Sequence, residues 1–431
     1  MISKLQYADK QEIKLYQEQK FKELLQYLNT HSSFYKSWFE QHHIDVCSIQ
    51  SLDNLTLIPP VTKKNLQEQN QDFYCVDTER IVEYATTSGT LGNPVNFVLS
   101  DSDLERLAYN EAVSLSTTGI TAADKVQLMT TMDRCFLAGL AYYLGLRKLG
   151  AGVVRVGASI PQLQWDMILK NKPDYLIAVP SFIVKMIDYA EEHHIDYKNI
   201  HLKGIICIGE AIRNMDFSPN TLHQRIAQQW NVPLYSTYAS TEMSTAFTEC
   251  QYHQGGHQIP ELIYIEVLDT ENKPVEDGCV GELTITTFGV EAMPLLRFKT
   301  GDMLVKYSQP CSCGRNSDRI SAVLGRKEQM IKLKGTTIYP NAIIEVLKSY
   351  NQIKLYQIVI THNDLGTDQV QLNIAIEGAD LDFSKQISTH LQSKLRVLPM
   401  INIVDYECLT KDVFPISSRK PIYVLDKRKP I

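Results

Sequence analysis

The chain has 431 residues, 44% hydrophobic and 21% charged, an ordinary globular composition with length for a large core and two or three domains. A formal net charge of −6 gives no reason to expect a nucleic-acid partner, and no apolar run approaches bilayer-spanning length. Nine cysteines are too sparse and irregular for a disulfide scaffold, and the opening Met1–Lys10 has no signal-peptide core, so a cytoplasmic protein without membrane partners is expected.

Ile13, Tyr16, Phe21, Leu24, Leu25 and Leu28 recur at helical spacing through residues 11–30. The apolar runs 81–85 and 95–99 flank Thr86-Thr87-Ser88-Gly89-Thr90-Leu91-Gly92-Asn93-Pro94, which reads as strand, tight loop, strand. Glycines let backbone N–H groups converge on an anion, and Thr and Ser hydroxyls add donors for phosphate oxygens. The P-loop ending Gly-Lys-Ser/Thr is absent, and a hydroxyl-rich hairpin turn is the plainer alternative. Asp101-Ser102-Asp103 caps a helix running from Leu104 to Leu115. Strand-like runs at 125–129, 152–156, 175–179 and 204–208 alternate with helical ones, which predicts an α/β domain with buried, mostly parallel strands. The run Val232–Tyr235 predicts a buried strand feeding a polar turn, Tyr238-Ala239-Ser240-Thr241-Glu242. Beyond residue 325 the pattern predicts a helix at 340–350, strands near 355–361 and 368–376, a helix near 382–395 and a strand near 400–406. That is a small α+β domain, giving domains 1–325 and 326–431.

Cys250 and His257 lie seven apart, and Cys311-Ser312-Cys313 follows downstream beside the turn-forming Gly314. Three thiols and an imidazole suit a closed tetrahedral zinc site, with His253 as a competing ligand.

In order, the loop at 86–94, Tyr238–Glu242, Leu296-Arg297-Phe298-Lys299-Thr300-Gly301-Asp302 and Gly325–Gly335 resemble the motifs of the adenylate-forming (ANL) superfamily, within it the phenylacetate–CoA ligase-like branch. Phe34–Phe39 and Leu57-Ile58-Pro59-Pro60-Val61-Thr62-Lys63 are similar to that branch too, so the resemblance covers nearly the whole chain. It implies an α/β fold with a large N-terminal domain of β-sheets and flanking helices, plus a small, mobile α+β C-terminal lid. It also implies a two-step reaction. A small carboxylic acid and ATP form an acyl-adenylate, then a thiol displaces AMP. The acid is already ionised at neutral pH, so the site needs positioned donors, cations and a metal-holding carboxylate.

Carried over by that resemblance, Thr87, Ser88, Gly89 and Thr90 would hold the ATP phosphates. Thr241 would contact the α-phosphate and Glu242 would hold Mg²⁺. Tyr238 and Gly209-Glu210-Ala211 would line the adenine, Asp302 would accept from the ribose hydroxyls, and Arg326 would meet the ribose or phosphate. Lys420, on the lid, would bridge carboxylate and phosphate, although Arg419 stands where the family has Gly and competes for the role. Other departures are Leu91 for a frequent Thr, Val95 for the superfamily's Lys and Ala239 for a frequent Gly. Glu328 falls at the hinge, and Lys334-Gly335 would face the thiol acceptor. CoA is the expected acceptor, with a carrier-protein thiol as the alternative. A catalytically inactive nucleotide-binding regulator and a homodimer remain open. Phe136, Ala138, Gly139, Tyr143, Tyr235 and Ser236 are candidate acid-pocket residues, suited to an aryl or arylacetic acid, or else they pack helices.

Overall fold

The computed structural model describes residues 3–87, 95–333, 336–362, 367–377, 381–415 and 421–428. They form two compact units, one of Met1–Thr300 and Leu304–Ala322, the other of Gly301–Met303 and Val323–Ile431. No helix of the described residues is long and apolar enough to cross a membrane.

In the first unit, Asp9 caps the helix Lys10–His31 by accepting from the Glu12 amide. Of the expected stripe that helix buries Ile13, Phe21, Leu24, Leu25 and Leu28, while Tyr16 is exposed. Ser32 ends it and caps the next helix, Ser33–Gln41, through the Tyr35 amide. The strands Glu83–Thr86 and Asn96–Leu99 form an antiparallel pair. Five parallel strands lie in the spatial order Gly152–Arg155, Lys125–Leu128, Tyr175–Ala178, Gly204–Cys207, Leu234–Ser240. Tyr175–Ala178 and Gly204–Cys207 are buried at every position, as strands covered on both faces must be. The helices Pro161–Asn171, Pro180–Glu192 and Thr221–Gln229 supply Trp165, Ile187 and Ile226 to the core that also holds Trp230 and Leu234.

Leu234–Ser240 changes the character of the sheet. Its far side pairs antiparallel with Thr245–Glu249, and antiparallel neighbours continue from there. The polar turn expected at 238–242 is therefore shorter. Pairing with Phe247 and Thr245 carries the strand through Tyr238 to Ser240, and only Thr241–Ser244 turn. Two buried arginines bolt distant segments together. Arg106, on the helix Asp101–Thr117, donates to the carbonyls of Phe288, Ser244 and Leu262 and to Thr245 Oγ1. Arg297 forks onto Glu266 at 3.1 and 3.2 Å and also meets the carbonyls of Thr56, Ile58 and Asn272.

In the second unit Ile353–His362 and Asp368–Ile376 pair antiparallel, flanked by the parallel strands Val424–Asp426 and Met400–Ile403. Ile343, Val346 and Leu347 of the helix Pro340–Lys348 join Phe383, Ile387 and Leu391 of the helix Leu381–Leu395 against that sheet. Arg428 ties the unit's end to its beginning, reaching Asp426, Asp368 and the carbonyls of Met330 and Glu328.

Candidate functional site

Ligands of open α/β sheets gather beyond the carboxyl ends of parallel strands. Here that edge carries several of the candidates. Gly209-Glu210-Ala211 follows the strand Gly204–Cys207, and Glu210 Oε2 accepts from the Ser181 amide at 2.9 Å. That carboxylate therefore caps the neighbouring helix Pro180–Glu192, a structural task with no local sequence signal. Asn220 Nδ2 donates to the Ala211 carbonyl. Beyond Lys125–Leu128, Arg134 and Cys135 take left-handed backbone, at φ 60° and 55°, and the Cys135 carbonyl accepts from the Thr86 amide. The strand pair Glu83–Thr86 and Asn96–Leu99 is thereby hung on this edge. Thr87 is buried and pairs with Val95 through both backbone and hydroxyl. Ser88, Gly89 and Thr90 lie outside the described residues, as do Lys334, Gly335, Arg419 and Lys420.

The turn Thr241–Ser244 closes on itself, with the Ser244 amide and hydroxyl both donating to the Thr241 carbonyl at 3.2 Å. The Tyr238 ring lies tilted, 6.3 Å from that of Phe247. Glu242 meets a cation, since Lys63 Nζ lies 3.6 Å from Glu242 Oε1. In the sequence Lys63 is only the end of the resembling segment 57–63, with no role attached. Its placement comes from Val61, whose backbone exchanges hydrogen bonds with Arg297 and Lys299. Nothing local to residues 57–63 signals that bridge. Glu242 also fits the single-carboxylate preference of Mg²⁺ bound through phosphates, beside an ammonium that would meet the same anions.

Of the candidate acid-pocket residues, Gly139 serves packing. A Cβ there would sit 1.9 Å from the Thr131 carbonyl oxygen, so the helix Leu137–Leu149 can approach that loop only with glycine. Ala138 and Tyr143 pack onto the core around Val126 and Tyr142, while Phe136 is exposed. In the second unit, Asp302 pairs with Arg326 across an antiparallel ladder, and Arg326 Nε lies 3.6 Å from Asp302 Oδ1.

At the other end of the strand pair, Cys250, His257, Cys311 and Cys313 gather with all four donor atoms within 4.8 Å of one another. Cys250 Sγ is 3.7 Å from Cys311 Sγ, and Cys313 Sγ is 3.6 Å from His257 Nε2. Metal–sulfur and metal–nitrogen bonds of tetrahedral zinc imply S···S and S···N edges of roughly 3.8 and 3.6 Å, so the donors fit the ion. Contact between the Cys250 and Cys311 thiols raises the first and lowers the second, so that one proton serves both. Burial works against ionising Cys313, but hydrogen bonds from His257 and Arg315 bring it down to about 7. His253, the competing ligand, instead places Nδ1 3.2 Å from Glu249. Gly255, at φ 92°, passes so close to the Ile320 carbonyl that a Cβ would stand 2.6 Å from it.

A family model described as AMP-binding enzyme matches residues 31–292, and one described as AMP-binding enzyme C-terminal domain matches residues 335–428. A phenylacetate-coenzyme A ligase of Thermus thermophilus is 24% identical, covering 86% of this chain and 83% of its own. The Escherichia coli enzyme of that name is 23% identical over 99% of this chain and 98% of its own. A solved 2-hydroxyisobutyryl-CoA ligase, in its postadenylation state, superposes with a TM-score of 0.80 at 23% identity, covering 97% of this chain and 89% of that one.

Proposed function

The chain belongs to the AMP-binding enzyme family, and from that premise we propose that it is an ATP-dependent, AMP-forming acid–CoA ligase acting on an aryl or arylacetic acid. The observation that carries this reading is the turn Thr241–Ser244, which presents Thr241 and the Lys63–Glu242 pair together. The names of the phenylacetate-coenzyme A ligases support the thioester product and the acid class.

A carboxylate oxygen of the acid attacks the α-phosphorus, and the bond to the bridging oxygen breaks to release pyrophosphate. The thiolate of CoA then attacks the acyl carbon and expels AMP. Both steps need charge held in place more than proton transfer. Lys63 supplies a cation at the phosphates, Thr241 donates to the α-phosphate and Glu242 holds Mg²⁺, which neutralises phosphate charge when bound. Thr87, Ser88, Gly89 and Thr90 embrace the phosphates, Tyr238 and Gly209–Ala211 line the adenine, and Asp302 and Arg326 serve the ribose. Lys420 joins only for the first step, as a cation delivered by the lid. We assign Cys250, His257, Cys311 and Cys313 to a structural zinc. With four protein ligands no position is left for an activated water, so its task is folding.

The test mixes the protein with ATP, Mg²⁺, CoA and a panel of aryl and arylacetic acids. Acid-dependent release of AMP and pyrophosphate, with a CoA thioester, is expected. Release of ADP, or no acid-dependent turnover with any member of the panel, would overturn the reading.

A further inference from the structure

Arg315 is a buried cation that the acid-activation chemistry does not use. It is 7% exposed and stands two residues past Cys313. Its Nη1 donates to Cys313 Sγ at 3.4 Å, its Nε to Gln6 Oε1 at 3.1 Å and its Nη2 to Thr117 Oγ1 at 3.4 Å. Its guanidinium also lies 5.0 Å over the Tyr7 ring. Two other buried arginines, Arg213 and Arg297, each fork onto a buried carboxylate, Glu249 and Glu266. Arg106 is equally deep but gives its donors to three carbonyls and a hydroxyl. Among the described residues no carboxylate pairs with Arg315. Arg319, also buried, likewise donates to carbonyls, those of Gln254 and Gln309. A guanidinium taken out of water is held most favourably with its donors filled and an anion nearby. Its sulfur contact says where that anion is. A divalent ion held by three thiolates and a neutral imidazole carries a formal charge of minus one.

The same arginine holds a strap of chain. Gln6, which accepts from Arg315, is 1% exposed. Its carbonyl accepts from the Asn316 and Ser317 amides at 2.7 and 3.2 Å. Its Nε2 donates at 2.8 Å to the carbonyl of Gln258, the neighbour of His257. Asn316 Nδ2 reaches back to the carbonyls of Tyr7 and Ala8. Residues 3–8 thus lie across the knuckle 311–317, with Arg315 touching both strap and thiol.

We propose that Arg315 is the counter-cation of the metal–thiolate centre, and that through it the bound metal fixes residues 3–8 on the knuckle. The proposal rests on the zinc assignment above. Without the ion the three sulfurs are no longer gathered into one fixed anion facing Arg315. The guanidinium keeps its burial but loses the set position of its sulfur partner, and the strap it holds is loosened.

The experiment uses the full chain and two readouts that do not involve turnover. Zinc content is measured first, then the rate of zinc transfer to a chromophoric chelator, for wild type, Arg315→Met and Arg315→Lys. Amide hydrogen exchange is followed at residues 3–8, 316 and 317 before and after stripping the metal. Loss of a second-layer partner should speed zinc release roughly ten- to hundredfold in Arg315→Met. Arg315→Lys, which keeps the charge without the fork, should fall between. Stripping wild type should deprotect the strap and the Asn316 and Ser317 amides while the parallel strands stay protected. If Arg315→Met does not fold, Arg315→Lys and the stripped wild type carry the test. Wild type purified without zinc, and taking none up, overturns the zinc assignment and this proposal together. Zinc bound but released at the wild-type rate from both variants overturns this proposal alone. So does a strap whose exchange ignores the metal.

Discussion

The strands Leu234–Ser240 and Thr245–Glu249 form one hairpin with two unlike ends. At the turn, Lys63 and Glu242 meet at 3.6 Å, and Lys63 keeps 30% of its side chain in water. At the other end Glu249 is 1% exposed. It accepts from Arg213 at 3.1 and 3.2 Å and from the Ser236 amide at 2.7 Å, and Cys250 follows within the Cys–His cluster. The partly wet pair can trade its partner for a phosphate or a cation at little cost. The dry cluster cannot lose a member without stranding a charge. One ladder therefore separates the part that must exchange partners from the part that must not.

The knuckle end should show the largest stability effect. Cys311→Ser opens the tetrahedral set, and because metal binding here is folding free energy, zinc content and melting temperature should fall together. AMP formation per folded molecule should stay near wild type. A variant that melts normally but loses turnover would put chemistry at the wrong end. Next comes Arg213→Met, which takes from buried Glu249 the guanidinium that forks onto it. Denaturant titration should show a loss of about 3–5 kcal/mol. Adding Glu249→Gln should recover much of it, and full additivity of the two changes would show that the pair is not coupled.

At the turn end the signature reverses. Glu242→Gln should leave melting unchanged and reduce acid-dependent pyrophosphate release by about a hundredfold, or about 3 kcal/mol. Lys420→Ala should do the same to adenylate formation while sparing thioester formation from a supplied acyl-adenylate. Equal loss in both steps would make that residue a structural one. The smallest expected change lies beneath the hairpin, on the helix Asp101–Thr117. Burial pushes Glu111 from 4.5 up to about 8. A carboxyl held neutral when folded stabilises most below the unfolded value and loses that contribution as pH rises through about 8. Glu111→Gln should therefore be more stable than wild type, by on the order of 2 kcal/mol at pH 8, with the gap closing toward pH 5. A gap that widens on acidification would mean the folded group is ionised.

Much of this was legible beforehand. The buried runs at 175–179 and 204–208 marked parallel strands because nothing polar interrupts them, and the second unit's elements fell close to where periodicity put them. The four cysteine and histidine positions were legible too, since few other tasks need two thiols one residue apart beside glycine turns. Illegible were features made by contacts across long sequence separations. The extension of the strand to Ser240 depends on Ala246 and Thr245 opposite. Lys63 reaches Glu242 only because Val61 bridges to residues 297–299. Glu210 reads as a turn residue until the Ser181 amide appears beside it. Gly139 looked like room for a ligand because a sequence does not show which backbone will press against it.

The strap at residues 3–8 also sets a clock. Gln6 and Arg315 are 309 positions apart, yet each satisfies the other. A ribosome adding about 5–20 residues per second needs roughly 15–60 s between them. For that time the first helix can form and bury its stripe only against what has already emerged, while Gln6 waits in water. The knuckle is thus one of the last places in the first unit to close, and its completion reports that nearly all of that unit has been made.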